Sequence, residues 1–397
     1  MKITTTTVHL IPVNHRGCWV LVEIATDQGL SGWGEGSHSG DDTACMAAIE
    51  RIGAELAATG DIDPLAAAAG LMDGVSTTSR AERTPPSAIA QALIDLAARA
   101  RGIAVAELLT EDREQGAPNT VPAYAPNTVP VYAPKTVPVY ANVNRMCAER
   151  DPATIAAAGQ LAVRAGINAV KLAPFDEVSP EALEAQRDIV VAPGIERLQA
   201  LRQGIGADVK LMVDCHWRFT HDFAPLLADI AKFLDIQWIE DPFDNWNRTV
   251  ADDLRKASDA QITGGEDIYT LPALERLAQS GCVDVLIADV KFVGGTAALD
   301  RMCKMAASHG VGFAPHNPSG PLSTAASAHV AAANANALIV EYPFGEVDWR
   351  AELAPGEILN HGGIQVAGPG YGIDIRPRDV RPSDIRPKMA GNSSTLQ

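Results

Sequence analysis

The stretch VKLMVDCHWRF, residues 209–219, runs apolar and then ends in an acid, Asp214, with a histidine, His216, two residues on. Residues two apart on a strand face the same side, so the pair is expected to stand together where a strand meets its loop. Two further apolar runs end in acids: Glu240 in WIEDPF and Glu266 in GGEDIY. Positions 214, 240 and 266 are evenly spaced, 26 residues apart, one strand and helix each. Neighbouring strands lie about 4.8 Å apart, so the three carboxylates can converge, and they repel one another unless a cation joins them. Mg²⁺ takes hard oxygen ligands and suits three carboxylates with room left for water or substrate oxygens. Acids at strand ends also cap helices or pair with arginines, but three in equal register favour a shared ion. Asp241 and Asp267 follow two of these acids directly and are expected to support them.

The elements that must position these residues form a rhythm from about residue 137 onward. Eight apolar runs, VPVYANV, AVKLAP, VKLMVDCH, QWIEDP, ITGGED, VLIADV, GFAPHN and LIVEYP, alternate with helical patterns such as GTAALDRMCKMAASHG. Strands separated by crossover helices pair in parallel, and eight such units predict an α/β fold of the TIM-barrel type. A doubly wound sheet would want a G-x-G-x-x-G loop, and none is present. The preceding part reads as an α+β domain whose first two strands form a hairpin across NHRG. The expected organisation is a capping domain over 1–117, a repetitive Pro-rich linker over 118–136, the barrel over 137–343, a segment returning to the cap over 344–376 and a flexible tail over 377–397. The linker contains PNTVPAYA and PNTVPVYA, and a third copy, PKTVPVYA, runs into the first barrel strand. Proline in every copy disfavours further central strands.

A formal charge of −17 argues against nucleic acid or an anionic membrane as partner, though a local cation can still admit a small anionic substrate. The six cysteines include no C-x-x-C pair, which predicts reduced thiols and a cytoplasmic protein. The start MKITTTTVHL lacks a long apolar run, so no signal peptide is expected. The Ala-rich stretch from Leu322 to Val340 carries His, Ser and Asn and reads as a buried helix leading into a strand.

The motifs VDCH, WIEDPF, GGED, ADVKFVGG and APHNPSGP, in this order and spacing, resemble the enolase superfamily, in particular its mandelate racemase-like branch. The resemblance covers nearly the whole chain and implies a modified (β/α)₇β barrel with an N-terminal α+β cap. It implies Asp214, Glu240 and Glu266 as Mg²⁺ ligands and His316, oriented by Asp289, as the base that removes a proton next to a carboxylate. Glu341, ending the eighth strand, is implied to hydrogen-bond the enolate. Lys291 lies two beyond Asp289 and is not expected to be the base. The second barrel strand departs from the K-x-K of mandelate racemase: VKLAPF keeps Lys171 and has Ala173 in the second place. Lys171 is therefore expected to neutralise the substrate carboxylate, or else to pair within the barrel.

Asp214-x-His216 resembles the galactonate and mannonate dehydratases of the same branch, in which this histidine protonates the leaving hydroxyl. Hydroxide leaves poorly, and a positioned histidine adds roughly 10²–10⁴-fold. The cap loops NHRG, with His15 and Arg16, and GSHSGDD, with His38, are expected to select the substrate, Arg16 by clamping a distal carboxylate. Together these readings predict a Mg²⁺-dependent dehydratase of an acid sugar that gives a 2-keto-3-deoxy acid through an enediolate. A racemase, epimerase or cycloisomerase on the same scaffold is the alternative, and a non-catalytic metal-binding protein is the alternative of another class. A homo-oligomer, dimer or octamer, is expected by family analogy alone.

Overall fold

The computed structural model describes residues 1–73, 75, 78–111 and 135–377. The first two copies of the eight-residue repeat and the tail beyond residue 377 lie outside the described residues.

The N-terminal part is an antiparallel sheet backed by helices. β1 (Ile3–Asn14) and β2 (Gly17–Thr26) form the expected hairpin, with Asn14 opposite Gly17, and β3 (Ser31–Glu35) pairs with β2. α1 (Asp42–Ala58) begins at Asp41, whose side chain accepts from the Ala44 amide at 3.0 Å and so satisfies a donor that a helix start leaves unpaired. α2 (Pro64–Gly70), α3 (Arg80–Arg101) and α4 (Val105–Glu111) follow. A Cβ at Gly32 or Gly34 of β3 would overlap the carbonyl oxygens of Ala92 and Ala88 on α3. Only glycine permits so close an approach of helix to strand.

The rest is a parallel strand–helix alternation: β4 (Lys135–Asn142), α5 (Pro152–Arg164), β5 (Ala169–Leu172), α6 (Pro180–Ile205), β6 (Lys210–Asp214), α7 (Ala224–Phe233), β7 (Ile236–Glu240) and α8 (Arg248–Ser258). It continues through β8 (Gln261–Gly264), α9 (Leu271–Ser280), β9 (Val285–Asp289), α10 (Thr296–Ser308), β10 (Gly312–His316), α11 (Pro321–Ala333) and β11 (Val340–Tyr342). Strands β4 to β10 pair in sequence order and β11 returns to pair with β4, all in parallel. The ring closes at Phe313 of β10, whose amide donates to Asn336 O at 2.9 Å and whose carbonyl accepts from the Leu338 amide at 2.8 Å. Seven strand–helix units and a final strand give the modified (β/α)₇β barrel that the sequence predicts.

What positions the site is a stagger of two residues along these strands. Tyr140, Ala169, Met212, Trp238, Val285, Ile287 and Ala314 form one buried apolar cluster, with Ile339 packed against it. Two residues further along their strands stand Asn142, Lys171, Asp214, Glu240, Asp289, His316 and Glu341. Strand side chains alternate faces, so the same inward face carries an apolar plug and, one layer nearer the C-terminal ends of the strands, a polar ring. The eighth member, Glu266, lies two residues past β8, beyond Gly265 with its φ of 119°.

The C-terminal segment, expected to return to the cap, does so and also touches the barrel. After α12 (Arg350–Leu353) and β12 (Leu359–Asn360), β13 (Gly363–Val366) pairs antiparallel with the start of β4. Beyond it, the Tyr371 amide donates to Asp95 of α3 at 2.7 Å, and Asp95 also accepts from the Trp33 amide at 2.9 Å. Among the described residues no helix is long and apolar enough to cross a membrane.

His329 of α11 joins all three parts: its Nδ1 accepts from the Ala106 amide at 3.0 Å, and its Nε2 lies 3.2 Å from Tyr371 O. Burial lowers its pKa from 6.5 to about 4. The folded ring therefore stays neutral between those values while the unfolded chain takes up a proton. Stability is expected to be complete above about pH 6.5 and to fall by roughly 3 kcal/mol as the pH drops to about 4. Urea titrations across that range should show a shallower slope for His329→Gln than for the native chain.

Candidate active site

The polar ring crowds carboxylates together. Asp214 and Glu240 are register partners on β6 and β7, and each of Asp214, Glu240 and Glu266 offers one oxygen within 4.8 Å of the others. All three are buried. Burial pushes Glu240 up to about 8, and the negative charges of Asp214, Glu341 and Glu266 add to it against the pull of Lys171. Asp241 is raised well above its usual range by burial and by Glu266, Glu240 and Asp214, and its Oδ2 is buried without a hydrogen-bond partner among the described residues. It thus faces the cluster, as expected. Asp267 does not: it accepts from Arg80 at 2.6 Å and from the Tyr269 hydroxyl at 2.8 Å, at the cap interface. Three oxygen donors this close, with a fourth uncompensated acid beside them, suit one small hard cation.

Lys171 stands inside this ring. Its fully buried ammonium pairs with Glu240 and lies 3.7 Å from Asp214 Oδ2 and 3.6 Å from Glu341 Oε1. These are the contacts of one of the two roles expected of it, pairing within the barrel. Glu341 accepts from Asn142 Nδ2 at 2.5 Å and from the Asn317 amide at 2.8 Å. Burial opposes its ionisation, yet Lys171 and His316 hold it below the usual carboxylate range. The carboxylate thus sits between Lys171 and the loop after β10, beside the acid cluster.

Two histidines flank the acids at opposite ends. The alternation expected to set His216 beside Asp214 is not what does so: β6 ends at Asp214, and the chain turns through His216 and Trp217 at φ 47° and 55°. That left-handed backbone is strained for both residues. Hydrogen bonds donated by the His216 amide to Asp214 Oδ1 at 3.1 Å and by the Trp217 amide to Asp241 O at 2.7 Å hold it. The turn brings His216 Nε2 to 3.0 Å from Asp214 Oδ2. Although burial opposes it, Asp214 raises the His216 pKa to about 9.

At the other end, His316 Nε2 lies 2.8 Å from Glu266 Oε2 and its Nδ1 lies 3.0 Å from Asp289 Oδ2. His316 and Asp289 are register partners on adjacent strands, as a dyad needs. Lys291 donates to both Asp289 oxygens at 2.8 and 2.6 Å and so fixes the acid beside His316 Nδ1. Burial works against the charged ring, but Glu266 and Glu341 keep the His316 pKa well above its ordinary value.

The cap residues divide. His38 reaches the site's border, with Nδ1 2.9 Å from Ser319 Oγ and Nε2 3.0 Å from an Arg145 nitrogen. His15 and Arg16 sit exposed at the hairpin turn. Sequence reasoning missed Asn142, although its place at the end of a strand follows the rule that found the acids. It also missed Glu35, for which no local signal exists. The buried Glu35 carboxylate accepts from Ser37 Oγ at 2.7 Å and from the Gly320 and Ser323 amides at 2.7 and 2.9 Å. From the cap sheet it closes the start of α11 just after His316.

Breaking the ring's central ion pair is a direct check on these electrostatics. Without added metal, Lys171→Met is expected to destabilise the fold by about 3–5 kcal/mol, read as a lower urea midpoint. Lys171→Met combined with Glu240→Gln is expected to recover part of that loss, because one of the stranded buried charges is then gone.

Known proteins share this arrangement. Residues 2–110 match the mandelate racemase / muconate lactonizing enzyme N-terminal domain, and residues 153–380 match the enolase C-terminal domain-like family. The D-xylonate dehydratase of Haloferax volcanii is 27% identical over 367 residues, covering 90% of this chain and 83% of that protein. The D-galactonate dehydratase of Verminephrobacter eiseniae is 26% identical, covering 87% of this chain and 82% of that one. A solved enolase from Agrobacterium radiobacter, with bound sodium and L-malate, superposes with a TM-score of 0.74 at 25% identity over 95% of this chain and 93% of that one. With cap and barrel both matched in chain order, the protein belongs to the mandelate racemase / muconate lactonizing enzyme family of the enolase superfamily.

Proposed function

We propose that this chain is a Mg²⁺-dependent dehydratase of an acid sugar, an aldonate or related hydroxy acid. The observation that carries the reading is the pair of histidines on opposite flanks of the acid ring, one backed by Asp289 and one beside Asp214. The names of the D-xylonate and D-galactonate dehydratase relatives support the same class.

Asp214, Glu240 and Glu266 would hold the ion. When bound, Mg²⁺ supplies the positive charge that makes the proton next to a carboxylate acidic enough for a histidine to take. The remaining work falls to side chains of this chain. With Glu266 turned to the ion, His316 Nε2 would be released as a free base and accept the α proton, while Asp289, fixed by Lys291, holds Nδ1 and the ring's orientation. His216 gives a proton to the β hydroxyl as its C–O bond breaks, so that water leaves rather than hydroxide. The enol left behind takes one proton at the β carbon and collapses to a 2-keto-3-deoxy acid. An epimerase on this scaffold would use His216 to return a proton to the α carbon from the far face. Where mandelate racemase carries its second lysine, this chain has the buried Ala173, so a lysine cannot do so.

The test is a library of aldonic and aldaric acids incubated with protein and Mg²⁺ in D₂O and read by mass spectrometry. The expected product is one water lighter and carries one deuterium. His216→Asn is expected to slow water loss by roughly 10²–10⁴-fold while α-proton exchange persists, and His316→Asn is expected to remove both. Deuterium uptake with no loss of water would move the assignment to epimerisation.

A further inference from the structure

His216 stands on backbone that its residue type disfavours, and something must hold it there. After β6 the chain keeps pairing with the end of β7 and its loop: the Cys215, Trp217 and Phe219 amides donate to the carbonyls of Glu240, Asp241 and Pro242 at 2.9, 2.7 and 3.3 Å. The His216 amide donates to Asp214 Oδ1 and the Arg218 amide to Cys215 O, both at 3.1 Å. Every amide from Cys215 to Phe219 is thus occupied, yet all these bonds lie within the turn or on its β7 side. Asp241, which receives the Trp217 amide, is itself left-handed at φ 40°, so this support is built from the same costly backbone.

On the other side lies the loop after β5, residues 173–179, and the Arg218 side chain crosses to it. Its Nη1 donates to Asp176 O at 3.1 Å and to Val178 O at 2.9 Å. That loop is fixed independently: Arg197 of α6 donates to Pro174 O at 2.8 Å and to both Glu177 oxygens at 2.7 and 2.6 Å. Next to Arg218, Phe219 packs edge-on against Phe175 of the same loop, 4.9 Å between centroids. Arg218 meets no carboxylate among the described residues; its hydrogen bonds go to main-chain oxygens. In a chain of net charge −17, with acids available on every side, a guanidinium used this way serves geometry rather than charge pairing. If His216 and Trp217 relaxed to ordinary backbone, the His216 ring would swing off Asp214, from which Nε2 now stands 3.0 Å. Relaxation would also have to break both carbonyl bonds of Arg218.

We propose that Arg218 is the positioning residue of the proton donor: by tying the strained turn to the loop after β5, it holds His216 beside Asp214. It touches no reacting atom and acts only through the turn. The inference rests on the dehydratase reading, in which His216 protonates the leaving hydroxyl. Arg218 then matters for loss of water and not for removal of the α proton, which falls to His316 at the opposite end of the acid ring.

The experiment compares native protein, Arg218→Met and Arg218→Lys in D₂O with Mg²⁺, on an acid that the native protein dehydrates. Arg218→Met strands no opposite charge, and thermal unfolding checks that each variant is folded; Arg218→Lys carries the comparison where the methionine variant fails to fold. Arg218→Met is expected to lose water about 10- to 100-fold more slowly, the scale of a displaced catalytic group, while α-proton exchange stays within about twofold. Arg218→Lys can keep one carbonyl bond and is expected to recover part of the rate. Equal loss of both activities, or loss of neither, overturns the proposal and leaves the dehydratase reading intact. Amide hydrogen exchange, read by mass spectrometry, tests the turn without substrate. Residues 215–219 are expected to exchange about tenfold faster or more in Arg218→Met, with β7 still protected and Arg218→Lys between the two. If no acid is dehydrated, the dehydratase reading fails and hydrogen exchange decides the anchor alone. Faster exchange confined to 215–219 then supports it, and unchanged protection there, or a loss spread across the barrel, refutes it.

Discussion

The interaction on which the rest depends is mutual repulsion among buried acids. Asp214, Glu240, Asp241, Glu266 and Glu341 meet at one end of a barrel whose walls exclude water, and a single buried ammonium, Lys171, stands among them. Like charges in such surroundings interact several times more strongly than in water. One lysine and two flanking histidines offset part of that charge, which is why Asp214 stays ionised while Glu240 and Asp241 are driven upward. A cation entering such a site would relieve every acid in it.

Holding such a ring together requires a rigid frame, and the two-residue stagger supplies it. The apolar plug under the ring, with Tyr140 and Trp238 packed at 6.0 Å between centroids, leaves no room for the acids to retreat downward. Glu240 is also anchored by the Trp238 indole N–H at 2.9 Å, a bond from the plug to the ring. Above the ring the cap acts through Glu35, which ties the cap sheet to the loop carrying His316, and through Arg83 of α3, which donates to Phe292 O and Tyr269 O at 2.7 and 2.8 Å. Two parts far apart in the chain thus fix His316 and the metal-ligand candidates relative to each other.

Much of this was legible in the sequence for a simple reason: the barrel repeats, and repetition shows as spacing. The eight strands and the acids 26 residues apart follow from period and register, and the Asp289–His316 pairing came from the family resemblance of the motifs that carry them. Features made by long-range contact or by unusual backbone were not legible. His216 meets Asp214 through a left-handed turn that no alternation rule anticipates. Which acids meet Lys171 was also hidden, because they stand on three other strands. Arg145 and Glu35 sit on ordinary loop and strand-end positions, and only the folded cap shows what they touch. The pairing of β13 with β4 joins residues more than 200 positions apart, and nothing local announces it.

The measurement that tests the central claim most directly is anomalous diffraction from crystals grown with Mn²⁺ in place of Mg²⁺. If the crowded acids exist to hold one divalent ion, a single strong peak is expected among the carboxylates of Asp214, Glu240 and Glu266. At saturating ion, no peak there, with Lys171 and the two histidines still the only cations on those acids, would contradict the account.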